Sequence, residues 1–242
     1  MLTVRGLTKS FGAKPVLRGI ELDLAQGESL VVIGGSGSGK SVLLRCILGL
    51  ERPDAGLILW NGAPIGPDFM ARFGMLFQNA ALFDSLPVWR NVAFRLLRTM
   101  PKAQARALAI EKLARVGLGP EVADLYPAAL SGGMRKRVGL ARAIAADPRV
   151  IFFDEPTTGL DPIRAAAINA LIRGIVDETG ASAITITHDM SSVRAIGDRV
   201  ALLDRGHIRW QGPVARMDGA PDDHLQDFIL GRARPIPSQP EA

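Results

Sequence analysis

The sequence predicts an α/β protein whose core is a parallel, doubly wound sheet. The apolar, β-branched run Ser29–Ile33 leads through a glycine-rich loop into a segment with helical periodicity. Two further apolar runs, at residues 150–153 and 183–187, enclose a helical pattern over 163–177. Strands that alternate with helices in this way form β-α-β units. The 242 residues are enough for one well-packed domain with a smaller subdomain.

The N-terminal residues predict a second, antiparallel group of strands. Residues 2–7 and 20–24 alternate apolar and polar side chains, and the turn over 11–15 separates them, with Phe11 at its tip. Residues 57–60 form another short apolar run. This period of two is typical of strands that bury one face only.

The loop after the first core strand has the pattern G-x-x-x-x-G-K-[ST]. It consists of Gly34, Gly35, Ser36, Gly37, Ser38, Gly39, Lys40 and Ser41, and Val42 continues into the helix. Glycines let main-chain N–H groups approach phosphate oxygens, and the helix that follows adds the positive end of its dipole. Lys40 would reach the β- and γ-phosphates, and Ser41 would ligate Mg²⁺. The alternative is a flexible turn, but the flanking strand and helix favour nucleotide binding.

Two carboxylates follow the strand predicted at residues 150–153. A phosphate-loop ATPase needs one acid to hold Mg²⁺ and another beside the attacking water. Asp154 would hold the metal, and Glu155 would orient or deprotonate the water. The alternative is an acidic turn at the end of a strand.

The middle of the chain changes from strand to helix patterns. A strand over 72–77 closes on Gln78, and residues 87–126 then carry apolar positions at helical spacing, clearest over 103–116. We interpret this stretch as a helical insertion. Ser131, Gly132 and Gly133 precede a helix over 135–146 and form either a second anion-binding turn or an ordinary helix cap.

Residues 200–203 and 208–210 predict a closing hairpin, and the chain becomes polar and proline-bearing from 231 to 242. The net charge of +5 permits nucleic acid, anionic lipid or merely a basic surface. The arginines of the helical stretch, for instance Arg95, are expected to face solvent. The chain shows neither a membrane-spanning run nor a signal peptide, and Cys46 is expected to be a packed thiol.

Taken together, the motifs resemble those of an ATP-binding cassette (ABC) subunit. They are Phe11, residues 34–41, Gln78, residues 130–134, Asp154 and Glu155, residues 158–161, and His188. The resemblance implies a P-loop NTPase fold of the ABC type, with a RecA-like core, an antiparallel β subdomain and an α-helical subdomain at about 87–146. The ATPase domain would occupy residues 1–230, with a tail over 231–242.

The resemblance also implies a role for each of these residues. Phe11 would stack on adenine, Gln78 would touch Mg²⁺ or water, and His188 would contact the γ-phosphate. Ser131, Gly132 and Gly133 would close over the ATP held by the opposite subunit of a homodimer, and Asp161 would link the two sites. Lys40, Gln78, Glu155 and His188 would be the catalytic residues, and Ser41, Gln78 and Asp154 the Mg²⁺ ligands.

The run Leu130 to Arg137, with Met134 where most cassettes carry glutamine, and residues 77–86 resemble the Mla/Mkl branch. That branch implies phospholipid transport between the inner and outer membranes, with an integral membrane permease and an MCE-domain lipid-binding protein. A small STAS-domain regulator is a further implied partner. The chain would then lie on the cytoplasmic face of the inner membrane as a peripheral protein.

Two alternatives stay open at this point. A cassette subunit for another cargo, such as an amino acid or a drug, differs only in its partner. A soluble cassette acting on DNA or ribosomes would need a long coiled coil between the phosphate loop and Ser131, or two copies in one chain. Only residues 42–130 separate these motifs, and one copy is present, so nucleic acid is not expected as a partner.

Overall fold

The computed structural model describes residues 1–232, except for the side chains of Pro67, Asp68 and Met70. The tail predicted over 231–242 therefore lies almost entirely outside the described residues. Ten strands and eight α-helices are found in the described part of the chain. The strands are β1 (Leu2–Phe11), β2 (Lys14–Leu24), β3 (Ser29–Ile33), β4 (Ala55–Trp60), β5 (Ala63–Pro64), β6 (Phe73–Leu76), β7 (Val150–Asp154), β8 (Ser182–Ile186), β9 (Arg199–Asp204) and β10 (His207–Pro213). The helices are α1 (Lys40–Ile47), α2 (Pro67–Arg72), α3 (Val88–Val92), α4 (Lys102–Arg115), α5 (Gly132–Ile144), α6 (Pro162–Thr179), α7 (Met190–Ile196) and α8 (Asp223–Ile229).

The strands form two sheets, as the sequence patterns predict. The larger sheet has the order β10-β9-β3-β8-β7-β6, in which β9, β3, β8, β7 and β6 are parallel and β10 is antiparallel. The smaller sheet is antiparallel, with the order β2-β1-β4-β5. The fold is thus the predicted α/β class with an added antiparallel sheet.

The parallel sheet separates two hydrophobic cores, which explains why its central strands β3, β7 and β8 are mostly apolar and are buried at nearly every position. Val31 and Ile33 of β3 pack into the core shared with the helices α3 to α7. Leu30 and Val32, which point to the opposite face, pack with α1 and the antiparallel sheet. Because successive side chains of a strand alternate between faces, one continuous run of apolar residues in β3 contributes to both cores.

The helical subdomain predicted at about 87–146 contains three α-helices, α3, α4 and α5, with irregular links between them. The pattern over 103–116 corresponds to α4, and the helix predicted at 135–146 begins three residues earlier as α5. The buried Asn91 of α3 donates to the carbonyl oxygens of Phe83 and Leu86 and accepts from the Phe83 N–H. These bonds fix the loop before α3. The boundaries of the insertion as a separate subdomain stay a prediction.

The prediction that the arginines of this stretch face solvent is wrong for Arg95. Its guanidinium donates to the carbonyl oxygens of Phe73 at 2.5 Å and Ala71 at 2.8 Å, and burial lowers its pKa. Arg95 therefore links the segment that follows α3 to the end of α2 and the start of β6. Cys46 is buried as expected, and burial raises the pKa of its thiol to about 11. Among residues 1–232, no helix is both long enough and apolar enough to cross a membrane.

Candidate active site

Four predicted motifs meet at one edge of the parallel sheet. In the strand register Val32 pairs with Ile186, Ile186 with Asp154, and Phe153 with Leu76, so that β3, β8, β7 and β6 end at the same level. The glycine loop, His188, the carboxylates and Gln78 come directly after these four ends. The carboxyl edge of a parallel sheet is where ligands bind in open α/β folds.

The glycine loop has a backbone that only glycine allows at two points. Gly34 has φ +155°, and a Cβ there would lie 2.2 Å from the carbonyl oxygen of Leu203. Gly39 has φ +109° and caps the N-terminus of α1, where a Cβ would lie 2.9 Å from Leu17 Cδ2. The loop is therefore held between β2 and β9 with the start of α1 open to a ligand. Unpaired N–H groups at such a helix start attract anions.

Lys40 lies folded back over this loop. Its ammonium donates to the carbonyl oxygens of Gly34 at 2.7 Å and Gly35 at 3.0 Å. Burial lowers the pKa of Lys40, and the negative charges of Glu155 and Asp154 act in the opposite direction. The adjacent Ser38 hydroxyl is buried, and it has no hydrogen-bond partner among the described residues. The loop thus combines the Lys40 ammonium and the Ser38 hydroxyl with main-chain N–H donors. This set of groups suits the binding of a phosphate chain.

An open cavity of about 310 Å³ adjoins the loop. It is lined by Phe11, Lys14, Val16 and residues 37–42, so the structure places Phe11 on the same cavity as Lys40 and Ser41. The Phe11 ring is half exposed, at 47%, and the Lys9 ammonium lies 5.2 Å from its centroid. An exposed aromatic face at this point can stack on a planar base. Ser36 lies exposed in the same loop.

The first carboxylate, Asp154, ends β7 and is only partly exposed. The pKa of Asp154 is raised, because burial and the neighbouring Glu155 charge outweigh the opposing effect of Arg45, Lys40 and Lys136. A carboxylate desolvated in this way is stabilised in its charged form by a bound cation. Mg²⁺ takes oxygen ligands, commonly one or two from protein together with phosphate oxygens and water. The Asp154 carboxylate and the Ser41 hydroxyl fit that donor set, and Gln78 offers an exposed amide next to β6.

Glu155 has an unusual backbone conformation, and its main chain and its carboxylate both form hydrogen bonds. Its φ is +48°, a left-handed value that costs a non-glycine residue ~1–3 kcal/mol and clusters at functional sites. Its N–H donates to the Ile186 carbonyl oxygen at 2.9 Å. Oε1 lies 2.9 Å from Nδ1 of the exposed His188, and Oε2 accepts from the Thr158 hydroxyl at 2.9 Å. The carboxylate is therefore aimed by its neighbours, as a water-orienting base must be.

Ser131 caps α5 and is exposed. Its hydroxyl accepts from the Met134 N–H at 3.2 Å, as the predicted cap would. Ser131 and Gly133 line a separate cavity of about 180 Å³ with Met134, Arg137, Arg164 and Ile168. The predicted linking residue Asp161 caps α6 by accepting from the Arg164 N–H at 2.9 Å. This half of the predicted site therefore faces outward from the chain.

Gly132 and Gly133 are not required by the packing of their own chain. A Cβ on Gly132 would meet no heavy atom within 4 Å, and one on Gly133 would meet only Arg164 Cδ at 3.9 Å. Both glycines lie in the first turn of α5, directly after the N-cap residue Ser131. Gly34 shows the contrasting case, because its neighbours in the fold leave no room for a side chain. A side chain at position 132 or 133 would therefore fit within this chain.

The contacts that three residues make beside Glu155 and His188 were not predicted from the sequence. Thr158 and Lys136 contact Glu155, and neither contact is visible before the chain folds. Burial lowers the pKa of Lys136, opposed by Glu155 and Asp154. Asp189, next to His188, caps α7 and accepts from the Ser192 hydroxyl at 2.6 Å. Burial raises its pKa, but the hydrogen bonds from Ser192 and Ser191 outweigh this and leave the Asp189 pKa lowered. The acid followed by two serines at the start of a helix was the available signal for this cap.

Comparison with known proteins supports one family throughout. The sequence model described as "ABC transporter" matches residues 17–158. The chain is 43% identical over 237 residues to "Methionine import ATP-binding protein MetN" of Mesorhizobium japonicum, covering 95% of this chain and 65% of that protein. It is 39% identical over 240 residues to "Probable ribonucleotide transport ATP-binding protein mkl" of Mycobacterium leprae, covering 96% and 69%. The chain thus spans about two thirds of the length of these relatives.

Solved structures agree. The "Dimeric structure of a post-hydrolysis state of the ATP-binding cassette MJ0796 bound to ADP and Pi" aligns with a TM-score of 0.80 and 29% identity, covering 88% of this chain and 99% of that chain. The structure of cbiO1 from Clostridium perfringens, "part of the ABC transporter complex cbiONQ", aligns with a TM-score of 0.82 and 28% identity, covering 96% of each chain.

Proposed function

The chain belongs to the ABC transporter family, as an Mg²⁺-dependent ATP-binding cassette, and we propose that two copies enclose two ATP molecules to drive a membrane permease. The observation that carries this proposal is the separation of the two phosphate-binding turns. Lys40 and Ser41 line one cavity, whereas Ser131 and Gly133 line another. The exposed glycines of α5 are explained when they close over a nucleotide held by a second copy.

The proposed hydrolysis assigns a task to each residue at the sheet edge. Lys40 leaves the carbonyl oxygens of Gly34 and Gly35 to bind the β- and γ-phosphates, and Phe11 stacks on the adenine. Ser41, Asp154 and Gln78 would hold Mg²⁺, which neutralises charge on the phosphates. Glu155 orients and deprotonates the attacking water, while His188 contacts the γ-phosphate and holds Glu155. Loss of the γ-phosphate removes the bridge between the copies, and the dimer opens.

We propose a lipid as the cargo, moved by a permease and an MCE-domain protein, with the cassette on the cytoplasmic face of the inner membrane. The run Leu130 to Arg137 and residues 77–86, which resemble the Mla/Mkl branch, support this placement, although the name of the mkl relative gives ribonucleotides as its cargo. A regulatory STAS-domain partner belongs to the same proposal. The exposed Phe83 and Phe94, whose ring centroids lie 4.6 Å apart, offer an apolar docking point for a permease helix beside Gln78. Methionine import is the second candidate, because MetN is 43% identical.

The test combines oligomeric state with partner identity. Glu155→Gln in Mg-ATP should elute as a dimer, and the Lys40→Ala/Glu155→Gln control should remain monomeric because it binds no nucleotide. A strictly monomeric Glu155→Gln protein, even with its membrane partner, would contradict the proposal. Purification from detergent-solubilised membranes should recover a permease with an MCE protein and bound phospholipid. Recovery of a permease that supports methionine uptake would select the second candidate.

A further inference from the structure

Lys136 is a buried cation that contacts the main chain of Glu155 and Gln78. The proposed mechanism assigns no role to this lysine. It lies on the second turn of α5, and 6% of its surface is exposed. Its ammonium donates to the main-chain carbonyl oxygen of Glu155 at 3.2 Å and to that of Gln78. Burying an ammonium is costly unless its donors are satisfied. This lysine therefore joins two main-chain segments of the site at a cost that a purely apolar helix face would avoid.

The segment after β6 is attached to α5 at two more points. The Arg142 guanidinium donates to the carbonyl oxygens of Ala81 at 2.7 Å and Ala80 at 2.5 Å. Both alanines have left-handed backbones, with φ +47° and +57°, so their conformation needs outside support. Between the two cations, a Cβ on Gly139 would lie only 2.7 Å from Leu76 Cδ1 and 3.1 Å from Ala80 Cβ. The helix therefore lies directly against this segment.

We propose that Lys136 is a positioning residue, which fixes Glu155 and the Gln78 segment to the helix that begins at Ser131. Two segments meet at one ammonium, so a shift of α5 moves Glu155 and Gln78 together. The position of the water-orienting carboxylate thereby depends on the position of the turn that binds the nucleotide of the second copy. This inference rests on the role proposed above for Glu155. It adds the part that transmits the position of α5 to that carboxylate.

Lys136 does not line the cavity at the glycine loop, so the affinity for nucleotide should not depend on Lys136. A displacement of a reacting group by about 1 Å costs ~100-fold in rate. Lys136→Met, which removes both donors, should therefore lower kcat by ~10- to 100-fold and leave the Kd for ATP within about twofold. Lys136→Arg keeps the charge and the donors and should recover part of the loss.

Lys112→Met is the matched control. Lys112 is also a buried lysine of the helical segment, and its ammonium pairs with Asp147 at 2.6 Å, away from Glu155. Its loss should lower the unfolding temperature and leave kcat unchanged. Where Lys136→Met does not fold, Lys136→Gln, which retains two N–H donors without the charge, takes its place with a smaller expected loss of kcat.

The measurements are kcat and KM for ATP, equilibrium ATP binding and thermal unfolding of the full chain. Unchanged kcat in the Lys136 variants, or an equal loss in Lys112→Met, would overturn the inference. Adding Lys136→Met to Glu155→Gln should lower single-turnover hydrolysis by a smaller factor than Lys136→Met lowers that of the parent, because part of the effect of Lys136 acts through Glu155. Should Glu155→Gln itself hydrolyse ATP normally, the proposed mechanism fails first. An inactive Glu155→Gln with a fully active Lys136→Met overturns this inference alone.

Discussion

Replacing Glu155 by glutamine removes a charge from the site without removing its contacts. The amide has the shape of the carboxylate, so its oxygen can still accept from the Thr158 hydroxyl, and its NH₂ group can donate to a neutral His188 Nδ1. The main-chain contacts to Ile186 and Lys136 are untouched. We therefore expect the stability of the variant and its affinity for ATP to stay close to those of the parent.

The rate of hydrolysis should fall steeply, because an amide cannot take a proton from water. Proton transfer by a positioned base contributes ~100- to 10,000-fold, so Glu155→Gln should lose at least ~100-fold in kcat. Phosphate release at saturating Mg-ATP measures this loss, and equilibrium titration measures binding. Glu178→Gln is the matched control, since Glu178 pairs with Arg115 at 2.9 Å on the surface. This variant should hydrolyse ATP at the rate of the parent. A Glu155→Gln rate within threefold of the parent would refute the role given to this carboxylate.

Four further substitutions test the same geometry. Lys40→Ala should lose ATP binding in an equilibrium titration, because the phosphates lose their cation; unchanged affinity would contradict this. Gly34→Ala should fail to fold or should unfold at much lower denaturant, since its Cβ would meet a carbonyl oxygen at 2.2 Å. Gly132→Ala, whose Cβ would meet no heavy atom within 4 Å, should fold normally yet lose ATP-driven dimerisation. Asp189→Asn should flatten the acid limb of the stability curve. Because folding lowers the Asp189 pKa, the stability it contributes is complete above its ordinary value of 3.8 and is lost as pH falls below that, which urea unfolding from pH 7 to pH 3 measures.

Local patterns predicted most of the strands and helices. The core strands β3, β7 and β8 are mostly apolar because both of their faces are buried, and such runs are visible in the sequence. The shorter elements α2, β5, α7 and α8 were not predicted. Each has at most seven residues, too few for a periodic pattern to stand out from the surrounding turns.

The errors and omissions at the site concern residues whose partners are distant in sequence. Arg95 looks like any surface arginine of a helix, yet the folded chain presents it with the carbonyl oxygens of Ala71 and Phe73. Lys136 stands among other basic residues, and only the approach of α5 to Glu155 and Gln78 buries it. No local rule assigns such a partner, because the carbonyl groups come from other elements.

The sequence by itself determined the chemistry available to this protein: a glycine loop with Lys40 and Ser41, two carboxylates after a buried strand, and a serine-capped helix. Short-range sterics and side-chain periodicity suffice for these features, because each depends on residues adjacent in the chain. Only the tertiary structure decided how they combine. The parallel register brings four strand ends to one level, and the packing of α5 places Lys136 on the Glu155 main chain. It also leaves Ser131 exposed at the start of α5, on a different cavity from that of Lys40 and Ser41.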